Sequence, residues 1–132
     1  MAKHLGSRQH KPRVLVAEDE MLIAMDLQDM LERLGYEVVG PAGNVAEIRD
    51  LLQDAPIDGA ILDVNLRGEQ VFSVLPALMA IGMPVILASG YDDAQQFPSE
   101  FRALPRITKP FSADAVKHTC AACFAPNGKA NQ

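Results

Sequence analysis

Short apolar runs alternate with helix-patterned segments along this chain, and four of the runs end on polar residues of complementary kinds. Val14-Leu15-Val16-Ala17 leads into Glu18-Asp19-Glu20, and Ala60-Ile61-Leu62 leads into Asp63. Val85-Ile86-Leu87-Ala88 ends on Ser89-Gly90, and Ile107-Thr108 ends on Lys109-Pro110. Runs this short, rich in β-branched residues and bounded by turn residues, read as buried strands. If they are parallel neighbours, their carboxyl ends share one edge of a sheet. Carboxylates, a hydroxyl and an ammonium then converge on a single pocket.

The pattern predicts strands over Arg13 to Glu18, Tyr36 to Val39, Ile57 to Asp63, Pro84 to Ala88 and Arg106 to Thr108. Between the first two lies a helix from about Glu20 to Leu34. Its apolar Ile23, Leu27, Met30, Leu31 and Leu34 share one face, and Gly35 stands at the left-handed C-cap position. Gly40-Pro41 is expected to close the second strand. Asn44 and Glu47 form a capping box in its Asn form at the start of a helix reaching about Gln53. A third helix is expected over Glu69 to Ala80, kinked or broken at Pro76. A short or irregular helix fits Asp92 to Ala103, which Pro98 interrupts. Ser112 caps the last helix, striped by Ala115, Val116, Thr119, Cys120 and Cys123.

Five β–α units imply an α/β fold, a parallel five-stranded sheet with helices on both faces. Right-handed crossovers leave few strand orders. In the flavodoxin-like three-layer order 2-1-3-4-5, strands 1 and 3 flank the switch point where ligands bind, which is where Glu18, Asp19 and Asp63 fall. At 132 residues the chain suits one domain, expected over 13–124. A disordered, basic tail at 1–12 and a second tail at 125–132 are expected to flank it. No apolar run approaches the ~18 residues of a membrane span, and Met1 to Arg13 lacks a secretory h-region. The cytoplasm is therefore the expected location. A net charge of −5 argues against nucleic acid as the main partner.

Carboxylates about 4 Å apart repel by several kcal/mol at an effective dielectric near 20. A convergent cluster of them therefore calls for a cation, and oxygen-only ligands favour Mg²⁺ over zinc. Taken alone, Glu18-Asp19-Glu20 is also an ordinary acidic helix start. Asp63, Ser89 and Lys109, arriving from three further strands, make the joint pattern a site. An aspartate can attack a phosphoryl group and form an acyl phosphate. Such transfer needs neutralisation of the equatorial oxygens, which Mg²⁺ and Lys109 would supply, with the Ser89 hydroxyl donating to one of them. Cys120 and Cys123 form a C-x-x-C late in a helix with no second pair. They read as small packing residues rather than a redox or zinc motif.

From Arg13 to Phe124 the chain resembles the receiver domains of bacterial two-component response regulators. The resemblance is carried by Glu18-Asp19, by Asp63 within Leu62-Asp63-Val64-Asn65-Leu66, by Ala88-Ser89-Gly90, and by Lys109-Pro110-Phe111. It implies that Asp63 is the phosphoacceptor and that Ser89 and Lys109 read the phosphoryl group. It also implies a Mg²⁺ site formed by Glu18, Asp19, Asp63 and the Asn65 backbone carbonyl. The phosphodonor would be a sensor histidine kinase or a histidine phosphotransfer protein, and a downstream protein could be the target. The family's aromatic three positions before the lysine is Arg106 here. Leu87-Ala88-Ser89-Gly90-Tyr91 is similar instead to the Phe-Ala-Thr-Gly-Tyr segment of a stand-alone subgroup, which makes Tyr91, with Ser89, the expected switch.

With only a short stretch after the last helix, no DNA-binding output is expected. The chain reads as a single-domain signalling receiver rather than a conventional enzyme. A flavin carrier of the same topology would need a hydroxyl- and glycine-rich loop where the acids stand. An aspartyl phosphatase of another family would want an acid at Asn65. A receiver-like binding module that acts without phosphorylation is the remaining alternative, and the complete set of pocket residues argues against it.

Overall fold

The computed structural model describes residues 11–90 and 97–124. Tyr91, residues 1–10 of the first expected tail and all of the second, 125–132, lie outside the described residues. Five strands form one sheet: β1 Arg13–Ala17, β2 Glu37–Ala42, β3 Gly59–Asp63, β4 Val85–Ser89 and β5 Arg106–Thr108. Numbered this way, they lie in the order β2-β1-β3-β4-β5, every neighbouring pair parallel. This is the flavodoxin-like order expected from the alternation of elements. The helices are α1 Met21–Arg33, α2 Val45–Asp54, α3 Leu75–Ala80 and α4 Ala113–Cys123.

The three central strands β1, β3 and β4 are buried almost throughout because both faces are covered, and alternate residues serve opposite cores. Leu15, Ala60, Leu62, Val85 and Leu87 pack with Val45 and Ile48 of α2 and Leu75 and Leu78 of α3. Val14, Val16, Ile61, Ile86 and Ile107 pack with Leu27 and Leu31 of α1 and Val116 and Cys120 of α4. The buried stripe of α1 is Ala24, Leu27 and Leu31, while Ile23, Met30 and Leu34 flank it half-buried. Asn44 caps α2 as expected, its side chain accepting from Glu47 N–H at 2.9 Å. The Glu47 carboxylate reaches back to Gly43 N–H at 2.6 Å. Ser112 caps α4, accepting from Ala115 N–H at 3.1 Å.

Two expected boundaries are corrected. The second strand does not close at Gly40-Pro41 but runs on to Ala42. A proline is tolerated there because β2 is an edge strand, and a bulge absorbs the extra residue: Leu15 pairs with Val39 but Ala17 with Ala42. Gly40, at φ +111, is required at the bulge, since a Cβ would stand 2.8 Å from the Val16 carbonyl oxygen.

The third helix is shorter than Glu69 to Ala80. Asn65–Leu66 and Glu69–Gln70 pair as a small antiparallel ribbon, Val71–Val74 form a 3₁₀ turn, and the α-helix begins only at Leu75. Pro76 therefore kinks nothing; it stands in the first turn, where no intrahelical acceptor awaits its missing N–H. Of the helix expected over Asp92 to Ala103, the described part is the 3₁₀ turn Ser99–Phe101. Phe97 just before it and Phe101 at its end are buried against Phe72, at ring-centroid distances of 5.3 and 5.7 Å. The Arg106 guanidinium lies 5.6 Å from the Phe97 ring centre. Among the described residues, no helix is long and apolar enough to cross a membrane.

Candidate functional site

The carboxyl edge of the sheet collects the expected side chains. Glu18 follows β1, and its N–H donates to the Ala42 carbonyl at 2.9 Å, so the extension of β2 past Pro41 anchors the acidic loop. Asp63 ends β3 and Ser89 ends β4; both are buried, as is Glu18. Val64 N–H donates to the Ala88 carbonyl at 2.9 Å, and Lys109 N–H donates to the Ser89 carbonyl at 2.9 Å. The backbone thus ties each strand end to the next, and the side chains inherit that order.

Carboxylate oxygens of Glu18, Asp19 and Asp63 lie within 4.8 Å of one another. Lys109 Nζ reaches into the cluster, 2.9 Å from Asp63 Oδ2 and 3.3 Å from Glu18 Oε1. Glu18 Oε2 accepts from Glu20 N–H at 3.0 Å, and Asp63 Oδ1 accepts from Asn65 N–H at 3.2 Å. Asp19 Oδ2 accepts from Arg67 N–H at 2.9 Å. Asn65 itself is exposed, two residues beyond Asp63 at the start of the ribbon. Ser89 lies one residue past Ala88, the register partner of Asp63.

Burial pushes the Glu18 carboxyl up to about 7, and the Asp63 charge adds to the rise against the opposing pull of Glu20 N–H and Lys109. For Lys109, burial disfavours the ammonium but is outweighed by the hydrogen bond and charge of Asp63 and by Glu18, so its pKa is raised. The ion pairs are buried enough for these charges to be felt strongly.

With Glu18 deprotonated, the three carboxylates and one ammonium sum to a formal charge of −2. A hard divalent cation matches both that charge and the oxygen-only donor set. The residues present therefore fit a divalent metal. Arg67 N–H and the Ala42 carbonyl were not foreseen, because a backbone group has no residue-type signature. The dipeptide Arg67-Gly68 between two polar, pairable stretches was the available turn signal.

The C-x-x-C pair lies where the thiolate form is disfavoured. Burial, with a further contribution from Cys123, pushes the Cys120 thiol up to about 12. Burial raises Cys123 as well, which opposes the thiolate nucleophile of redox chemistry.

Comparison with known proteins agrees with this architecture. The family model for the response regulator receiver domain matches residues 14–121. The sensory transduction protein LytT of Bacillus subtilis is 33% identical over 110 residues, covering 81% of this chain and 46% of the relative. The transcriptional regulatory protein PdtaR of Mycobacterium tuberculosis is 36% identical over 103 residues, covering 76% of this chain and 50% of the relative. The chain thus spans about half the length of these curated relatives. The solution structure of SdrG from Sphingomonas melonis Fr1 superposes with a TM-score of 0.75 at 44% identity, covering 84% of this chain and 94% of that one. With the family model matched over nearly the whole sheet and the acidic pocket at its carboxyl edge, this chain belongs to the response regulator receiver family.

Proposed function

We propose that this chain is a phosphoacceptor receiver in which Asp63 takes a phosphoryl group from a phosphohistidine on a sensor histidine kinase or histidine phosphotransfer protein. The observation that carries the reading is the arrangement at Asp63: a buried carboxylate at a strand end, 2.9 Å from the Lys109 ammonium and clustered with Glu18 and Asp19. An Asp63 oxygen attacks phosphorus, the P–N bond breaks, and the departing imidazole recovers a proton from solvent. Glu18, Asp19, Asp63 and the Asn65 carbonyl would hold Mg²⁺, which when bound offsets charge on the phosphoryl oxygens. Lys109 stabilises the same charge from the β5 side, and the Ser89 hydroxyl donates to a phosphoryl oxygen. Ser89, with Tyr91, then carries the change toward a downstream protein or passes the group along a relay. The domain is the stretch 13–124, and the compartment is the cytoplasm.

The test is phosphoryl incorporation from a labelled phosphohistidine donor with Mg²⁺. Wild type should form an acid-stable, base-labile adduct, and Asp63→Asn should form none. Label retained by Asp63→Asn, or transfer that is indifferent to chelation of Mg²⁺, would overturn the reading.

A further inference from the structure

Asp19 is the most exposed of the three clustered carboxylates, and its hold on a fixed orientation comes from an unusual place. Arg67 has φ +53, the one positive value at a non-glycine position among the described residues. Gly68 follows at φ +83. Two successive residues of this kind between Leu66 and Glu69, which pair across the antiparallel ribbon, make a two-residue hairpin turn of the type that needs left-handed backbone at both centres. Left-handed backbone costs an ordinary side chain roughly 1–2 kcal/mol, so Arg is a poor residue for that position. The conformation aims the Arg67 N–H at Asp19 Oδ2, 2.9 Å away, across a chain separation of 48 residues. The side chain goes elsewhere: a Cβ at Gly43 would lie 3.6 Å from Arg67 Nη2, on the connection between β2 and α2.

We propose that the Arg67-Gly68 turn is a positioning element for Asp19, its left-handed backbone donating one N–H that fixes which carboxylate oxygen faces a divalent cation. The proposal rests on the reading of the pocket as a Mg²⁺ site. The Arg67 N–H engages Oδ2, leaving Oδ1 to the cation, and an oriented ligand binds metal more tightly than a freely rotating one. What matters at position 67 is then backbone conformation and not charge.

Isothermal titration of the whole chain with MgCl₂ separates the two. Arg67→Val carries a β-branched side chain that resists positive φ, and should weaken Mg²⁺ binding about tenfold. Arg67→Asn and Arg67→Gly lose the guanidinium but favour the turn, and should stay within about twofold of wild type. A metal-free readout runs beside it. Asp19→Ala should speed hydrogen exchange at the Arg67 amide while leaving the Val71 amide, which donates within the same connection to the Val64 carbonyl, unchanged. Equal Mg²⁺ affinity in wild type and Arg67→Val, or a loss in Arg67→Asn as large as in Arg67→Val, would overturn the proposal while the Mg²⁺ site stands. An Arg67 amide indifferent to Asp19→Ala would overturn it too. Wild type that binds no Mg²⁺ would overturn the site reading and the proposal with it.

Discussion

Glu18 sits almost wholly out of water, clustered with the carboxylates of Asp19 and Asp63 and paired with the Lys109 ammonium, and burial is what chiefly sets its protonation. Burial, then Asp63, raise its carboxyl from an ordinary 4.5 to about 7. In the metal-free protein between those values, the native state holds a proton that the unfolded chain has released. Stability must therefore fall as pH rises through that window, with the loss complete above about 7. The whole shift is worth on the order of 3 kcal/mol. Urea denaturation in chelator should show wild type weakening across that range and Glu18→Gln losing most of the slope. An unchanged slope in Glu18→Gln would place the titration elsewhere. Asp63→Asn removes the charge that adds to the effect of burial on Glu18, so Glu18 should titrate lower in that variant. The variant should also melt above wild type without metal, since it keeps an acceptor for Lys109 and Asn65 while relieving repulsion. Carbon-detected NMR of the Glu18 carboxyl and a thermal melt check the two halves. The side chains of this cluster were legible in the sequence because each ends an apolar run, and strand ends on a parallel sheet share an edge. The Asp19–Arg67 bond was not, because its donor is backbone and its cause is a dihedral angle.

At the level of elements, the last helix is locked to the sheet by a missing side chain. Gly59 opens β3, and a Cβ there would stand 2.5 Å from the Phe124 ring. Phe124 is buried at the end of α4, edge-on to Tyr36 at 6.0 Å, and its carbonyl accepts from the Tyr36 hydroxyl at 3.4 Å. The ring is buried between Gly59 and Tyr36, so Gly59→Ala should cost about 1–3 kcal/mol by overpacking. Combining it with Phe124→Leu should recover part of that loss, a non-additivity readable in a double-mutant cycle. Additive losses would mean that the ring yields easily. The alternation of strands and helices was legible because buried parallel strands are continuous apolar runs and the helices carry striped faces. The ribbon at Asn65–Leu66 and Glu69–Gln70 was not, since two-residue strands leave no period to detect. Gly40-Pro41 misled for a different reason. Both are breakers in a central strand, yet β2 lies at the edge and uses them to make the bulge that brings Ala42 to Glu18.

Across the whole molecule, the acidic pocket concentrates charge of one sign, because strand order brings three carboxylates onto one edge and, among the described residues, Lys109 after β5 is the cation paired with them. Sheet and helices supply the stability that tolerates this, as the two apolar cores meet back to back across central strands buried on both faces. A ligand that binds the native pocket and not the unfolded chain recovers the electrostatic loss through mass action. At a hundredfold excess over Kd that is about 2.7 kcal/mol, on the order of 10 °C in Tm for a domain of this size. Thermal melts with and without millimolar Mg²⁺ should therefore show a rise in wild type. The rise should be larger at about pH 8 than at about pH 5, since Glu18 must shed its proton to act as a ligand. Asp63→Ala should abolish most of the rise, while Gly59→Ala, far from the pocket in register, should lower both melts equally and keep the difference. Two results would contradict the account: a wild-type melt unmoved by Mg²⁺, or a shift of equal size in Asp63→Ala.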